Sequence, residues 1–210
     1  LVDHGASALM VLPPYLVKPS PGQLVEYYEA VASAAGGIDI MIQDAPGPTG
    51  VQFPVDTIVA LSRIDGISSV KVEAPPTAEK IAAVADACGS AAFAVLGGNN
   101  AQLCLDEYAS GAVGTMPACE FVDLLRPVLD LWDAGERVVA RRRMARLLPL
   151  VLMGVQPGIA WSVHKEVLVL RGIIESATVR SPAKPLPGRA RLAVRETIEA
   201  LELEDALALA

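Results

Sequence analysis

Aromatic side chains are scarce in this chain of 210 residues: Phe, Trp and Tyr make up 4% of it, although 52% of its residues are hydrophobic. The apolar mass is therefore Ala, Val, Leu and Ile, which is typical of parallel strands covered on both faces by helices. A chain this apolar is not disordered. Its length allows one sizeable core but is short for a complete eight-unit barrel, which takes about 250 residues.

Basic charge and cysteine are also limited. The net charge of -7 argues against a nucleic-acid partner, which requires a basic face. The three cysteines, Cys88, Cys104 and Cys119, are odd in number and widely spaced. We therefore expect reduced core thiols in a cytoplasmic protein and neither a zinc site nor a disulfide framework. The longest apolar run, residues 147–155, is too short to cross a membrane.

Short apolar runs alternate with longer amphipathic stretches in the first half of the chain. The runs are residues 8–12, 38–43, 68–72, 92–96 and 112–116. Each is bounded by Gly or Pro, and they start at the spacing of βα units, which predicts buried parallel strands joined by helices. Beyond Met116 the pattern is helical only, over residues 121–134, 136–153, 159–171 and 189–209.

Helix-start signals support this alternation. Ser20 and Gln23 form a capping-box pattern with Pro at the first helical position, and Pro54 opens a second helix. Thr77 is expected to cap a third helix. We predict a partial (β/α)8 TIM barrel of about five strands over residues 1–134 and a C-terminal helical region over 135–210.

Five strands do not close a barrel by themselves. Either the sheet is an open α/β sheet, or three βα units are missing from the front. Residues 1–5 read as the last turn of a helix that ends on Gly5, which favours a fragment. The open-sheet alternative predicts a nucleotide-binding domain near Gly97 and Gly98.

Lys71 is the most informative polar residue. It lies within the run 68–72, and the other four lysines lie in helical or turn-like segments. By strand alternation Val70 and Val72 face the covering helices, while Lys71 and Glu73 face the other way. A desolvated lysine at a strand end has a lowered pKa and can attack a ketone. Two considerations oppose this interpretation: a lysine that only reaches for solvent would look the same, and a nearby Glu73 would favour the charged amine.

Other strand ends offer weaker candidates. Gln43 ends the run 38–43, where it either contacts substrate or caps the following loop. Gly97 and Gly98 allow close backbone approach to a ligand or form an ordinary turn, in which Asn99 caps the next helix. Thr115 could reach a substrate hydroxyl, although a plain strand end fits as well. His164 is expected to be a surface or packing residue.

Taken in order, these strand ends resemble a known family. Pro14-Tyr15, Ala45-Pro46, Lys71, Gly97-Gly98 and Gly114-Thr115 follow successive strands as in the dihydrodipicolinate synthase and N-acetylneuraminate lyase family of class I aldolases. The resemblance implies a (β/α)8 barrel with C-terminal helices, and Lys71 as the Schiff-base lysine. It also implies a 2-keto acid substrate, with Gly97, Gly98, Thr115 and Tyr15 contacting it.

The departures from the family pattern define a branch. Gln43 replaces the family's catalytic tyrosine, Pro48 stands in place of an arginine, and Leu16 in place of a second tyrosine. The segment Gln43-Asp44-Ala45-Pro46 resembles the branch that dehydrates 2-keto-3-deoxy sugar acids of the arabonate type. In that branch Gln43, or a water that it holds, would assist proton transfer from the Lys71 imine. The family's early Gly-Thr-Thr loop is missing, so we expect the chain as given to be inactive by itself.

The sequence therefore predicts a lyase, either a dehydratase or an aldolase, that uses Lys71. A synthase-like condensation of pyruvate with an aldehyde and a non-catalytic keto-acid-binding relative remain alternatives. The resemblance implies no cofactor and no metal. It also implies a cytoplasmic homo-oligomer, dimer or tetramer, with no nucleic-acid or membrane partner.

Overall fold

The computed structural model describes residues 4–89 and 93–201 and divides into two compact units, Leu1–Met116 and Pro117–Ala210. The five strands belong to the first unit and the C-terminal helices to the second. The division into domains after residue 134 stays a prediction.

Unit 1 contains a parallel sheet whose strands follow their order in the chain. The strands are β1 (Ala8–Val11), β2 (Asp39–Asp44), β3 (Ile67–Val72), β4 (Ala94–Gly97) and β5 (Gly114–Thr115). All five predicted strands are present, although residue 92 of the fourth predicted run lies outside the described residues. The order β1-β2-β3-β4-β5 has no reversal, whereas a doubly wound nucleotide-binding sheet requires one. The α/β class is confirmed, and the alternative of a doubly wound nucleotide-binding domain is not supported.

The helices of unit 1 cross between these strands. They are α1 (Pro21–Ala35), α2 (Pro46–Thr49), α3 (Val55–Leu61), α4 (Thr77–Cys88) and α5 (Cys104–Ala109). The capping box of α1 is confirmed: the Gln23 N–H donates to Ser20 Oγ at 3.4 Å, and the Ser20 N–H donates to Gln23 Oε1 at 2.9 Å. The prediction that Thr77 caps α4 is wrong, because Pro76 holds the cap position and Thr77 is the first helical residue.

The core of unit 1 lies between the sheet and its helices. Ile40, Ile42, Val70 and Val72 point into it and are fully buried. The alternation predicted for β3 is therefore confirmed, because it is Val70 and Val72 that join this core. Lys71 consequently lies on the opposite face of the sheet.

Unit 2 is helical in its described residues. Its helices are α6 (Val122–Asp133), α7 (Arg137–Met153), α8 (Ala160–Leu170) and α9 (Gly188–Ala200). The four predicted tail helices are present, although residues 202–209 of the last lie outside the described residues. Cys119 corrects one expectation, since it is exposed and not a core thiol, whereas Cys104 is buried. Within 4–89 and 93–201, no helix has the length and apolar character needed to cross a membrane.

Candidate active site

Lys71 is buried at the carboxyl end of β3. The residue is 8% exposed, and its Nζ lies 3.3 Å from Glu73 Oε1. The side chains of the two residues are 11% and 16% exposed. Lys71 is therefore not a lysine that reaches out to bulk solvent. Glu73 does lie beside the amine, and such a carboxylate favours the charged form of a lysine.

Glu73 is held from three sides in addition to Lys71. The Asn99 N–H donates to its Oε1 at 3.0 Å, and the Gln43 side-chain amide donates to its Oε2 at 3.0 Å. The Asn99 side-chain amide also donates to the Glu73 carbonyl at 3.2 Å. The Glu73 N–H donates to the Asp44 carbonyl at 2.8 Å, which extends the pairing of β2 and β3 by one residue. Two of these hydrogen bonds hold the carboxylate and two hold the backbone of Glu73, so the group is fixed in place before any ligand arrives.

The same contacts set the charge of Glu73. Burial alone would raise the pKa of this carboxyl, but the Asn99 N–H, the Gln43 amide and Lys71 together outweigh burial. The net result is a lowered pKa for Glu73. Glu73 therefore favours its carboxylate form, and its Oε1 pairs with Lys71 Nζ.

Gln43 lies directly beside Lys71 in the sheet. The two residues are register partners across β2 and β3, and Gln43 uses its amide to contact Glu73. The side chain of Gln43 thus bonds to Glu73, whereas the alternative interpretation expected it to cap the following loop. Because an amide does not titrate, what Gln43 supplies here is a hydrogen bond.

Gly98 makes room for the ion pair. A Cβ at this position would lie 2.8 Å from Lys71 Cε and 2.7 Å from Glu73 Oε1, closer than such atoms can approach. Any other residue at position 98 would displace the amine, the carboxylate or the backbone. Gly98 therefore fits its place by close packing against the two charged side chains.

Gly97 packs in the same way against a second carboxyl group. The Glu107 carboxyl occupies the space that a Cβ on Gly97 would need. Glu107 is 1% exposed, its Oε1 accepts from Thr77 Oγ1 at 2.7 Å, and its Oε2 has no hydrogen-bond partner among the described residues. Burial, helped by Glu73 and Asp106, raises the pKa of Glu107 despite the Thr77 hydrogen bond. Burial thus shifts this carboxyl toward its neutral form.

The remaining predicted residues lie farther along the strand ends. Thr115 is the register partner of Gly97, and its hydroxyl is buried without a hydrogen-bond partner among the described residues. Tyr15 follows β1 and is 50% exposed, and its carbonyl accepts from Lys18 Nζ at 2.9 Å. The structure thus gathers Gln43, Lys71 and Gly98 around Glu73, with Gly97 and Thr115 on the next two strands and Tyr15 in the loop after β1.

Two residues have partners that the sequence did not reveal. Asn99 does not cap a helix: it holds Glu73, and α5 begins only at Cys104. His164 is half-buried, and its Nδ1 lies 2.6 Å from Oε1 of the fully buried Glu120. The sequence did signal the contact between Lys71 and Glu73, because residues two apart in a strand share a face.

Acidic, histidine and cysteine side chains do not gather into a metal site in the described part of the chain. No group of three such residues there could hold an ion. At the end of β3, Glu73 instead pairs with the Lys71 side chain.

Comparison with known proteins shows which proteins this chain is similar to. The model of the dihydrodipicolinate synthetase family matches residues 1–201. The chain is 31% identical to 4-hydroxy-tetrahydrodipicolinate synthase 1 of Streptomyces coelicolor over 94% of its own length and 61% of the relative's. It is 31% identical to L-2-keto-3-deoxyarabonate dehydratase of Azospirillum brasilense over 70% of its length and 48% of the relative's.

A solved structure supports the same relationship. Dihydrodipicolinate synthase from Rhodopseudomonas palustris superposes with a TM-score of 0.88 at 29% identity, covering 95% of this chain and 67% of that one. The chain thus spans between about half and two thirds of the length of these proteins. Given the family match over nearly its whole length, the chain belongs to the dihydrodipicolinate synthetase family.

Proposed function

We propose that this chain carries the Schiff-base lysine of a lyase that dehydrates 2-keto-3-deoxy sugar acids, with Lys71 as the nucleophile. The observation that carries the proposal is the buried Lys71–Glu73 pair at a strand end, with its 3.3 Å separation. In the full-length protein the five strands would form part of a (β/α)8 barrel, whose chemistry lies at the carboxyl ends of the strands.

The reaction begins when Lys71 adds to the keto carbon of the substrate. Lys71 first passes a proton to Glu73, and its free amine then attacks the carbonyl carbon. The carbinolamine loses its hydroxyl group as water and leaves a protonated imine. Glu73 is placed to relay these protons because its Oε1 lies 3.3 Å from Lys71 Nζ; its lowered pKa keeps it in the accepting carboxylate form and makes it release a received proton readily, but also makes it a weak base.

Elimination follows from the imine. The protonated imine withdraws electrons, so Glu73, as a carboxylate, removes a proton from the carbon next to it and an enamine forms. The enamine electrons expel the hydroxyl group one carbon further on, and Glu73 returns its proton to that group, which leaves as water. Hydrolysis of the imine then releases the product and restores the Lys71 amine.

Gln43 has a supporting part in this scheme. The family pattern has a tyrosine at this position, which can exchange protons, whereas an amide cannot. The proposal therefore assigns the acid–base work to Glu73. Gln43 fixes the carboxylate through its 3.0 Å hydrogen bond.

The similarity to L-2-keto-3-deoxyarabonate dehydratase supports this choice of substrate class. A synthase-like condensation of pyruvate with an aldehyde is the second candidate, and the similarity to the Streptomyces enzyme over 94% of the chain favours it. A non-catalytic keto-acid-binding protein is the third, and it is favoured by the absence of a titrating group at position 43. Assembly into a homo-oligomer and a cytoplasmic location stay predictions.

Reductive trapping tests the proposal. The full-length natural protein is treated with borohydride together with pyruvate or a 2-keto-3-deoxy sugar acid, and the adduct is located by peptide mass spectrometry. We expect the adduct on Lys71, water loss from the sugar acid, and neither in Lys71→Met. Lys184→Met, which changes an exposed lysine of unit 2, is the control and should trap normally.

Each alternative gives a different result. Trapping with pyruvate and condensation with an aldehyde, without dehydration, would favour the synthase. Binding of a keto acid without any adduct on a folded protein would contradict the Schiff-base assignment and favour the binding protein.

A further inference from the structure

Asn99 holds Glu73 through both its backbone and its side chain. Its N–H donates to Glu73 Oε1 at 3.0 Å, and its side-chain amide donates to the Glu73 carbonyl at 3.2 Å. The first bond fixes the carboxylate, and the second fixes the backbone that carries it. The two residues are 26 positions apart, so this link joins the end of β3 to the turn after β4.

That turn has an unusual backbone. Asn99, Asn100 and Ala101 have φ values of 48°, 57° and 60°, and none of them is glycine. The turn is closed by a bond from the Ala101 N–H to the Gly98 carbonyl at 2.9 Å and by one from the Gln102 N–H to the Asn99 carbonyl at 3.3 Å. Asn tolerates this left-handed region better than most residues. The Asn99 N–H reaches Glu73 only in the position that this turn gives it.

We propose that Asn99 is a positioning residue for catalysis, which acts by fixing the Glu73 carboxylate beside Lys71. The inference rests on the proposed function and deepens it. It states that Asn99, which does not itself react, sets the orientation of the Glu73 carboxylate. Gly98 provides the space for the ion pair, and Asn99 provides the hydrogen bonds that orient it.

A purely conformational role is the rival explanation. In that case Asn99 is present only because its backbone is left-handed, and glycine would replace it without loss. Two substitutions separate the roles. Asn99→Gly is at ease at positive φ but lacks the amide, whereas Asn99→Asp keeps the shape and puts a carboxylate where the amide was.

Turnover of the sugar acid and the pKa of Glu73 are measured in the full-length protein. We expect kcat to fall about tenfold in Asn99→Gly and further in Asn99→Asp, with borohydride trapping on Lys71 still detectable. The acid limb of kcat/KM should move to higher pH, because the pKa of Glu73 rises when its N–H donor loosens and rises further beside a new carboxylate. Ala101→Gly is the control: glycine adopts the same positive φ and keeps the N–H that closes the turn on the Gly98 carbonyl, so wild-type turnover is expected.

A readout that does not need turnover keeps this inference separate from the proposed function. The titration of Glu73 followed by carbon-13 NMR should shift upward in Asn99→Asp whether or not the substrate class is right. Wild-type kcat and an unmoved Glu73 titration in both Asn99 variants would overturn the inference. An absence of any adduct in the wild-type protein, with the Glu73 titration shifted as expected, would instead overturn the proposed function and reduce Asn99 to holding Glu73 without a part in catalysis.

Discussion

The two units of this molecule bury charged side chains in different ways. In unit 1 the Lys71 cluster (Gln43, Lys71, Glu73, Asn99) is tightly bonded, yet its lysine and glutamate side chains are 11% and 16% exposed. In unit 2 the Arg171 cluster (Glu120, Asp123, His164, Arg171) includes Glu120, whose side chain is 0% exposed. The guanidinium of Arg171 donates to the Glu120 carbonyl and to both carboxylate oxygens of Asp123, at 3.0 and 2.5 Å.

Under the proposed function the first cluster is reactive, and we interpret the second as structural. Exposure alone does not separate them, because Arg171 pairs with Asp123, whose side chain is 53% exposed. Position does: the Lys71 pair lies at the carboxyl end of a strand, where barrel chemistry takes place, whereas the Arg171 pair lies in the helical unit. Arg171 forms a two-pronged pair with Asp123, a geometry that secures one arrangement of the chain. The Lys71 cluster should therefore respond to mutation in activity, and the Arg171 cluster in stability.

The largest expected effect is that of Glu73→Gln on turnover. The amide keeps the shape of Glu73 but cannot take or return a proton, so kcat should fall about 10²–10³-fold. Thermal unfolding should change little. Gln43→Leu, which removes only one hydrogen bond to Glu73, should lower kcat by about tenfold under the same assay.

The Glu73 prediction would fail in a specific way. Turnover of Glu73→Gln within about threefold of wild type would show that another group moves the protons.

Arg171→Met should have the opposite profile. It removes the hydrogen bonds to Asp123 and leaves the Glu120 carbonyl without its donor, which should lower the free energy of unfolding by about 2–3 kcal/mol. Urea unfolding followed by circular dichroism measures the loss. Trapping on Lys71 should persist in the folded variant, and a variant that is as stable as wild type but no longer traps would remove the contrast between the two clusters.

Glu107→Gln should have the smallest effect, and one that depends on pH. Because burial raises the pKa of Glu107 in the folded state, the fold binds this proton more tightly than the unfolded chain does. Its contribution to stability is thus complete below the unfolded pKa and declines as the pH rises through the folded value. Glutamine mimics the neutral acid, so Glu107→Gln should lose this decline.

Melting temperatures between pH 4 and pH 8 measure the effect of Glu107. For a chain of this size each kcal/mol corresponds to about 2–4 °C. The variant and the wild type should differ most at the high end of that range, with the variant more stable. Parallel curves for the two proteins would show that Glu107 does not titrate as proposed.

Sequence rules captured the features that depend on near neighbours. The Ser20 capping box and the alternation of Val70, Lys71 and Val72 were predictable because each involves residues at most three apart. The face on which Lys71 lies followed from the same alternation, and its position near the strand end followed from the bounds of the run 68–72. The helices of unit 2 followed from the period of their apolar residues.

Contacts set by tertiary folding could not be derived in this way. Gln43 reaches Glu73 across 30 positions, and His164 reaches Glu120 across 44. The left-handed turn at Asn99 goes with a contact to Glu73, 26 positions away, whereas local preference alone favoured a helix cap. Cys119 was misplaced for a related reason, because its exposure depends on how the helices of unit 2 pack.

The absence of a side chain at position 98 should tie the evolution of this position to that of Lys71 and Glu73. A homologue with alanine there cannot also keep a Lys-x-Glu triplet in this conformation on the neighbouring strand, because the added methyl would overlap both charged groups. The glycine and the triplet should therefore be inherited together or lost together. When genomes are searched for enzymes of this kind, the joint pattern Lys-x-Glu with Gly-Gly-Asn is a more selective marker than the lysine alone.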